Sequence, residues 1–349
     1  MLSTVVLAAA VAGVQGPSAR VAACNPDNGI GPDGGLAALP PPTQAGARYL
    51  DLDQSAAPVD VELDPASGRL FVVQRGLNSV AVVDGRSAKP RVLATVTVGK
   101  RPEQAVLDTK SKRLFVANGA SCSVSIFDVR TSTPRLLATL PAAAGPRGLS
   151  LDPKTGRVYT ANYTGNTIRV IDGRAARPRL LPKPLNIGSG HVAAAVDAKT
   201  RRLVLVSSSG QVQTLDLNGG KAPVTGVVSV GGAIGLAGDG SGYVYSSGSG
   251  GQVTKIDVRK APATQASLSG PLAGGGYSQI RYEQRLKGLL LTSRSPAAVL
   301  VVSPATLKAQ TTVPSTSALA AARLDPAGCR LWMLDYSYHR IWSVPLPGC

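Results

Sequence analysis

Apolar and polar positions alternate along most of this chain in short runs, and the runs recur. PVDVELDP, PEQAVLDT and PRGLSLDP each bring an apolar stretch to an aspartate followed by a turn. A second apolar run follows each of them: RLFVV, RLFVA and RVYTA. A third run ends in another aspartate (SVAVVD, SVSIFD, TIRVID), and a basic, proline-containing turn leads to a fourth: RVLATV, RLLATL and RLLPKP. Val80 and Val82, Val124 and Ile126, and Ile168 and Val170 keep a period of two, which predicts strands with one more buried face. Helical periodicity is absent beyond the extreme N-terminus.

The first markers are Asp64, Asp108, Asp152, Asp197, Asp239, Glu283 and Asp325, spaced by 44, 44, 45, 42, 44 and 42 residues. The second markers, Asp84, Asp128, Asp172, Asp216, Asp257, Ser303 and Pro345, trail them by 18 to 20. Repeats of about 40 to 50 residues with short strands are the mark of blades stacked radially. The expected fold is therefore all-β: a seven-bladed β-propeller with four antiparallel strands per blade. The last repeat supplies only three strands, while ARYLDLDQ (Ala47–Gln54) alternates and has no other partner. That segment is expected to form the outer strand of the last blade, closing the ring and covering an edge. The repeated aspartates are read as turn formers, because an Asp carboxylate accepts backbone N–H groups two residues on.

Residues 1–23 read as a signal-peptide-like segment, with an apolar run from Leu2 to Val14 that is too short to span a membrane. Residues 24–46 form a Pro/Gly-rich tether, and residues 47–349 a single propeller domain. Secretion is the expected fate, with no transmembrane span in the mature chain. Val21-Ala22-Ala23-Cys24 also resembles a lipoprotein cleavage box, which makes a lipid anchor on Cys24 the minor alternative.

The net charge of +17 favours anionic partners. Its arginines and lysines are scattered through turns such as GRSAKPR, RTSTPR and GRAARPR, expected to form a basic rim on one face. No aromatic platform accompanies the charge, which argues against nucleic acid. Four cysteines in an exported chain suggest disulfides. Cys329 in the first turn of the last repeat and Cys349 past its third strand make the favoured bridge, and a Cys24–Cys122 pairing stays open.

VYTANYTGNTIRVID (Val158 to Asp172) resembles the YVTN-type β-propeller repeat, with Tyr159, Thr160, Ala161 and Asn162 in the signature places. LFVANGASCSVSIFD and LFVVQRGLNSVAVVD are weaker copies, and the fifth and sixth repeats depart from the pattern. The resemblance covers residues 58 to 345 and implies a secreted or cell-surface propeller of seven blades.

Propeller ligands sit over the central channel, on the face carrying the d–a and b–c loops. The ends of the second strands place Gln74, Asn118, Asn162 and Asp335 near that face, and Arg101, Glu103, Arg147, His191 and His339 belong to its loops. The neutral members can either cap loop backbone or offer hydrogen bonds to a sugar or peptide. The histidines belong to the fourth and seventh repeats, so no metal is expected, and no cofactor either. G-x-S-x-G, H-E-x-x-H and a phosphate loop are missing. The expected function is an exported, monomeric binding or scaffold protein for an envelope polysaccharide or protein partner. The alternative is a lactone hydrolase or lyase using Glu103, Asp335, His191 or His339 as acid and base. A quinone- or haem-linked dehydrogenase subunit is disfavoured by the lack of C-x-x-C-H.

Overall fold

Seven four-stranded antiparallel sheets surround a central channel in a computed structural model of the chain. It describes residues 42–165, 167–187, 190–207, 209–218, 224–248, 250–260, 264–268, 276–346 and 349. The signal-like segment, Cys24 and nearly all of the tether lie outside these residues.

Each blade runs a–b–c–d from the channel outward. The innermost a strands are Pro58–Asp64, Pro102–Asp108, Pro146–Leu151, His191–Asp197, Ala233–Gly238, Gly276–Glu283 and Leu319–Asp325. In blade seven the outer place is taken by Arg48–Asp51, antiparallel to Arg340–Pro345 with Tyr49 opposite Trp342 and Leu50 opposite Ile341. The expected closure of the ring by an N-terminal strand is therefore what the chain does.

One apolar cluster fills each gap between neighbouring blades. Strands b and c are sandwiched on both faces, so Val80, Ala81, Val82 and Val83 are all buried, not only every second residue. The period of two understated this burial because a blade has neighbours on both sides. Gly148 lets two inner strands approach; a Cβ there would lie 3.1 Å from the Val192 carbonyl oxygen.

The marker aspartates shape the a–b turns as expected, and they also tie blades together. Asp64 accepts from the Ala66 N–H and the Ser67 hydroxyl, and from Lys112 Nζ of blade two at 2.7 Å. Asp108 repeats this with Ser111 and with Arg174 of blade three, and Asp152 with Thr155 and Arg201 of blade four. Arginines that open the b strands donate to carbonyls of the next blade's c–d turn. Arg69 reaches Val129, Arg113 reaches Ala175 and Arg202 reaches Val258. Arg86 and Arg174 of the expected basic rim also cap carbonyls, those of Ala66 and Pro153.

One expectation needs correction. The fourth strand of blade three, expected as RLLPKP, stops at Arg179–Leu180; Pro182 and Pro184 have no N–H to donate, and Leu185–Asn186 pairs instead with Thr167–Ile168. Cys329 and Cys349 meet where the favoured bridge was expected, and both are free thiols in this structure. The Cys329 thiol donates to the Cys349 carbonyl at 3.4 Å, and Arg285 of blade six hydrogen-bonds the same carbonyl. Cys122 is disulfide-bonded; Cys24, the other half of the open pairing, is outside the described residues.

Candidate channel site

A cavity of about 1220 Å3 occupies the channel. Its lining reaches from Arg75, Arg147, Gly232, Arg294 and Tyr336 at the loop face to Pro65, Thr109 and Pro326 at the far turns. The inner strands build its wall, because side chains four and two residues before each marker point towards the axis or the next blade.

Those two positions divide the channel into unlike halves. Two residues before the marker stand Glu62, Arg281 and Arg323 in blades one, six and seven, against Val106, Ser150, Ala195 and Ala237 in blades two to five. The charged side chains form one brace. Arg323 contacts Asp60 at 3.3 Å and Glu62 at 3.1 Å, and Arg281 contacts the same two carboxylates at 3.4 and 3.1 Å. Gln279 donates to Asp60 at 3.0 Å and accepts from Arg323 at 3.0 Å. Asp60 also accepts the Ala105 N–H of blade two at 3.0 Å, and Gln104 accepts the Leu149 N–H of blade three at 2.7 Å. Side chains thereby satisfy donors on an inner strand edge that has no further strand to pair with.

Burial sets the chemistry of this wall. It raises Glu62 to about 7, against the pull of Arg281 and helped by the neighbouring Asp60. Glu283, close to the far end, is likewise raised to about 7 by burial. Burial also raises Asp60, opposed by Arg281 and by its hydrogen bonds.

At the mouth, Glu103 accepts from Arg75 and, at 2.9 Å, from Arg101. The Arg147 guanidinium sits over the Tyr163 ring, 4.0 Å from its centre. A small cleft between blades two and three, lined by Arg101, Glu103, Gly119, Arg147 and Tyr163, opens beside them. Of the residues expected at the site, the structure brings Arg101, Glu103 and Arg147 together there.

The others do not line the cavity. Gln74 accepts from Ser79, Asn118 donates to Ser123 and Ser125, and Asn162 donates to Thr160, all of them buried. These side chains pin their own b–c loops. His191 is fully buried opposite Ser207, and His339 holds a left-handed turn at φ 54°. Asp335 accepts the Tyr338 N–H at 2.9 Å, and burial raises it to about 6. No group of three or more His, Cys, Asp or Glu side chains is placed to hold a metal among the described residues. No helix among them is long and apolar enough to cross a membrane.

Glu62, Arg281, Glu283 and Arg323 were absent from the expected site. For Glu62, Arg281 and Arg323 the signal was present: at one aligned position three repeats carry charge where four carry Val, Ser or Ala, while Glu283 stands at the marker position itself.

No protein-family model matches the chain, and no curated protein matches it. Among solved structures it is similar to a chain of hydrazine synthase from Kuenenia stuttgartiensis, at 18% identity and a TM-score of 0.68, covering 85% of this chain and 97% of that one. At that identity the likeness speaks for the propeller fold alone.

Proposed function

We propose that this protein is an exported propeller of the YVTN-like kind that binds a partner from the cell envelope, polysaccharide or protein, on its channel face. The observation that carries this reading is the arginine-bearing mouth over an open channel: Arg75, Arg101 and Arg147 stand around a single acid, Glu103. Such a mouth favours an acidic ligand. Its counterpart on the far face offers Arg135 and Arg179, which are 74% and 72% exposed.

A comparison of the two faces tests the reading. The double variant Arg75→Ala/Arg147→Ala is expected to lose retention on an acidic polysaccharide column, whereas Arg135→Ala/Arg179→Ala keeps it. Equal losses from both would show that bulk charge, not the channel face, does the binding. Fractionation of the native host tests export.

One observation favours the enzymatic alternative: Glu62 is a carboxyl titrating near neutrality inside a cavity. Its oxygens are held by Arg281 and Arg323, which suits a brace better than a proton shuttle. Lactone hydrolysis by the wild type that disappears in Glu62→Gln, with the fold retained, would support the enzyme instead.

A further inference from the structure

We propose that the channel is itself a small-molecule site, taking an amphipathic monocarboxylate with its acid group on Arg147 and its apolar body along the inner strands of blades four and five. This rests on the channel face being the binding face, and adds what the channel holds.

Arg147 supplies the first half of the argument. It is half-buried and makes no hydrogen bond or ion pair among the described residues, while Arg75 and Arg101 are both committed to Glu103. The Tyr163 ring beneath it holds the guanidinium at the mouth by its π face, which occupies none of the N–H donors. A planar fork of donors matches a carboxylate in two-point geometry.

The second half is the wall below it. Val192 and Val196 of blade four, and Ile234 and Leu236 of blade five, line the same cavity and keep some exposure, Ile234 as much as 39%. Val192 and Leu236 pack against the cluster between blades four and five, and Val196 against the one between blades three and four, so apolar groups from two adjoining gaps border the cavity here. Exposed apolar side chains inside a cavity gain by being covered, at about 25 cal/mol per Å2. The carboxylates of the brace on the opposite wall are already paired with Arg281 and Arg323, so they leave the apolar wall to the guest. The cavity, about 1220 Å3, has room for such a molecule, since ligand pockets run from about 300 to 1,000 Å3.

Calorimetry on the full chain with decanoate, decanol and butyrate tests this, at about pH 8, where a carboxylic acid is ionised. Decanoate is expected to bind, with decanol and butyrate each at least about tenfold weaker, since each lacks one half of the match. Arg147→Gln should remove the advantage of decanoate over decanol; Arg135→Gln, on the far face, should change neither. Ala194→Trp should fill the apolar wall and abolish binding of both, and Ile234→Asp replaces it if the tryptophan variant melts early. Decanoate binding that survives Arg147→Gln but not Ala194→Trp overturns the carboxylate assignment and leaves the channel-face reading standing. Binding untouched by all these variants lies outside the channel and overturns the small-molecule site, while the channel-face reading stands or falls with the retention test. Absence of decanoate binding at millimolar concentration overturns the small-molecule site alone, because polysaccharide retention at the mouth is read separately.

Discussion

Replacing Arg323 with Ala would leave Asp60 and Glu62 facing Arg281 alone, in a setting where Arg323 is only 4% exposed. Breaking a buried ion pair by deleting one partner costs about 3 to 5 kcal/mol, so the urea midpoint should fall by a correspondingly large step. Glu283 behaves in the opposite way. Its carboxyl is raised to about 7 by burial, so its contribution to stability is full below the unfolded value near ~4.3 and is lost as pH rises towards 7. Glu283→Gln is therefore expected to melt higher than the wild type at about pH 8, with the gap closing below about pH 5. An equal gap at both pH values would argue against a titrating Glu283. These residues also show what could be read in advance. Asn118 and Asn162 looked like ligand donors because they sit at strand ends near the mouth, yet each spends its amide on its own loop. Which way a polar side chain turns depends on partners a few residues away in space, and a repeat alignment does not contain them. The charged exceptions at the position of Glu62 could have been read, since charge where sister repeats hold Val or Ala implies a partner.

At the scale of the strand, the segment Arg48–Asp51 is short but covers an otherwise open edge, and Leu52 just after it is only 6% exposed in the cluster between blades seven and one. Deleting residues 47–54 removes two leucines, at about 1.5 to 3 kcal/mol each when fully buried. For a domain of this size that is a fall in Tm of at most about 5 to 10 °C, to be checked by calorimetry. Blade architecture was legible because strand length, turn chemistry and marker spacing all repeat, and even the missing fourth strand announced its replacement. Irregularities were less so. The broken outer strand of blade three follows from two prolines that a pattern search reads as part of an apolar run. The arginine clamps from b strands to the next blade's turn could not be inferred either, because they join residues 56 to 62 positions apart.

Across the whole molecule, two sets of carboxylates pull stability in opposite directions with pH. Burial pushes Asp64, Asp108 and Asp152 up, but hydrogen bonds from Lys112, Arg174 and Arg201, together with those from Ser67, Ser111, Thr155 and the turn N–H groups, hold all three below the usual range. Their stabilisation is complete above the unfolded value near ~3.9 and is lost as pH falls through the lower folded values. Glu62 and Glu283, raised to about 7, lose theirs as pH climbs to that point. The melting temperature should accordingly peak on the acid side of neutrality, at about pH 4 to 6, and decline on both sides. A profile still rising from pH 6 to 8 would contradict the assignment of the channel acids. The charge of +17 also looks different once arginines are seen capping carbonyls between blades: part of it belongs to the scaffold, and the remainder is what a partner can meet.

The division of the channel wall gives the ring a compass bearing. Seven alike blades would offer a guest seven alike rotational settings, and it could sit in any of them. With the brace of Asp60, Glu62, Arg281 and Arg323 gathered on blades six, seven and one, and the apolar lining on the far side, only one setting matches an asymmetric guest. The same arc spans the joint between the first and last blades, so the landmark that orients a guest also marks where the circle was sealed.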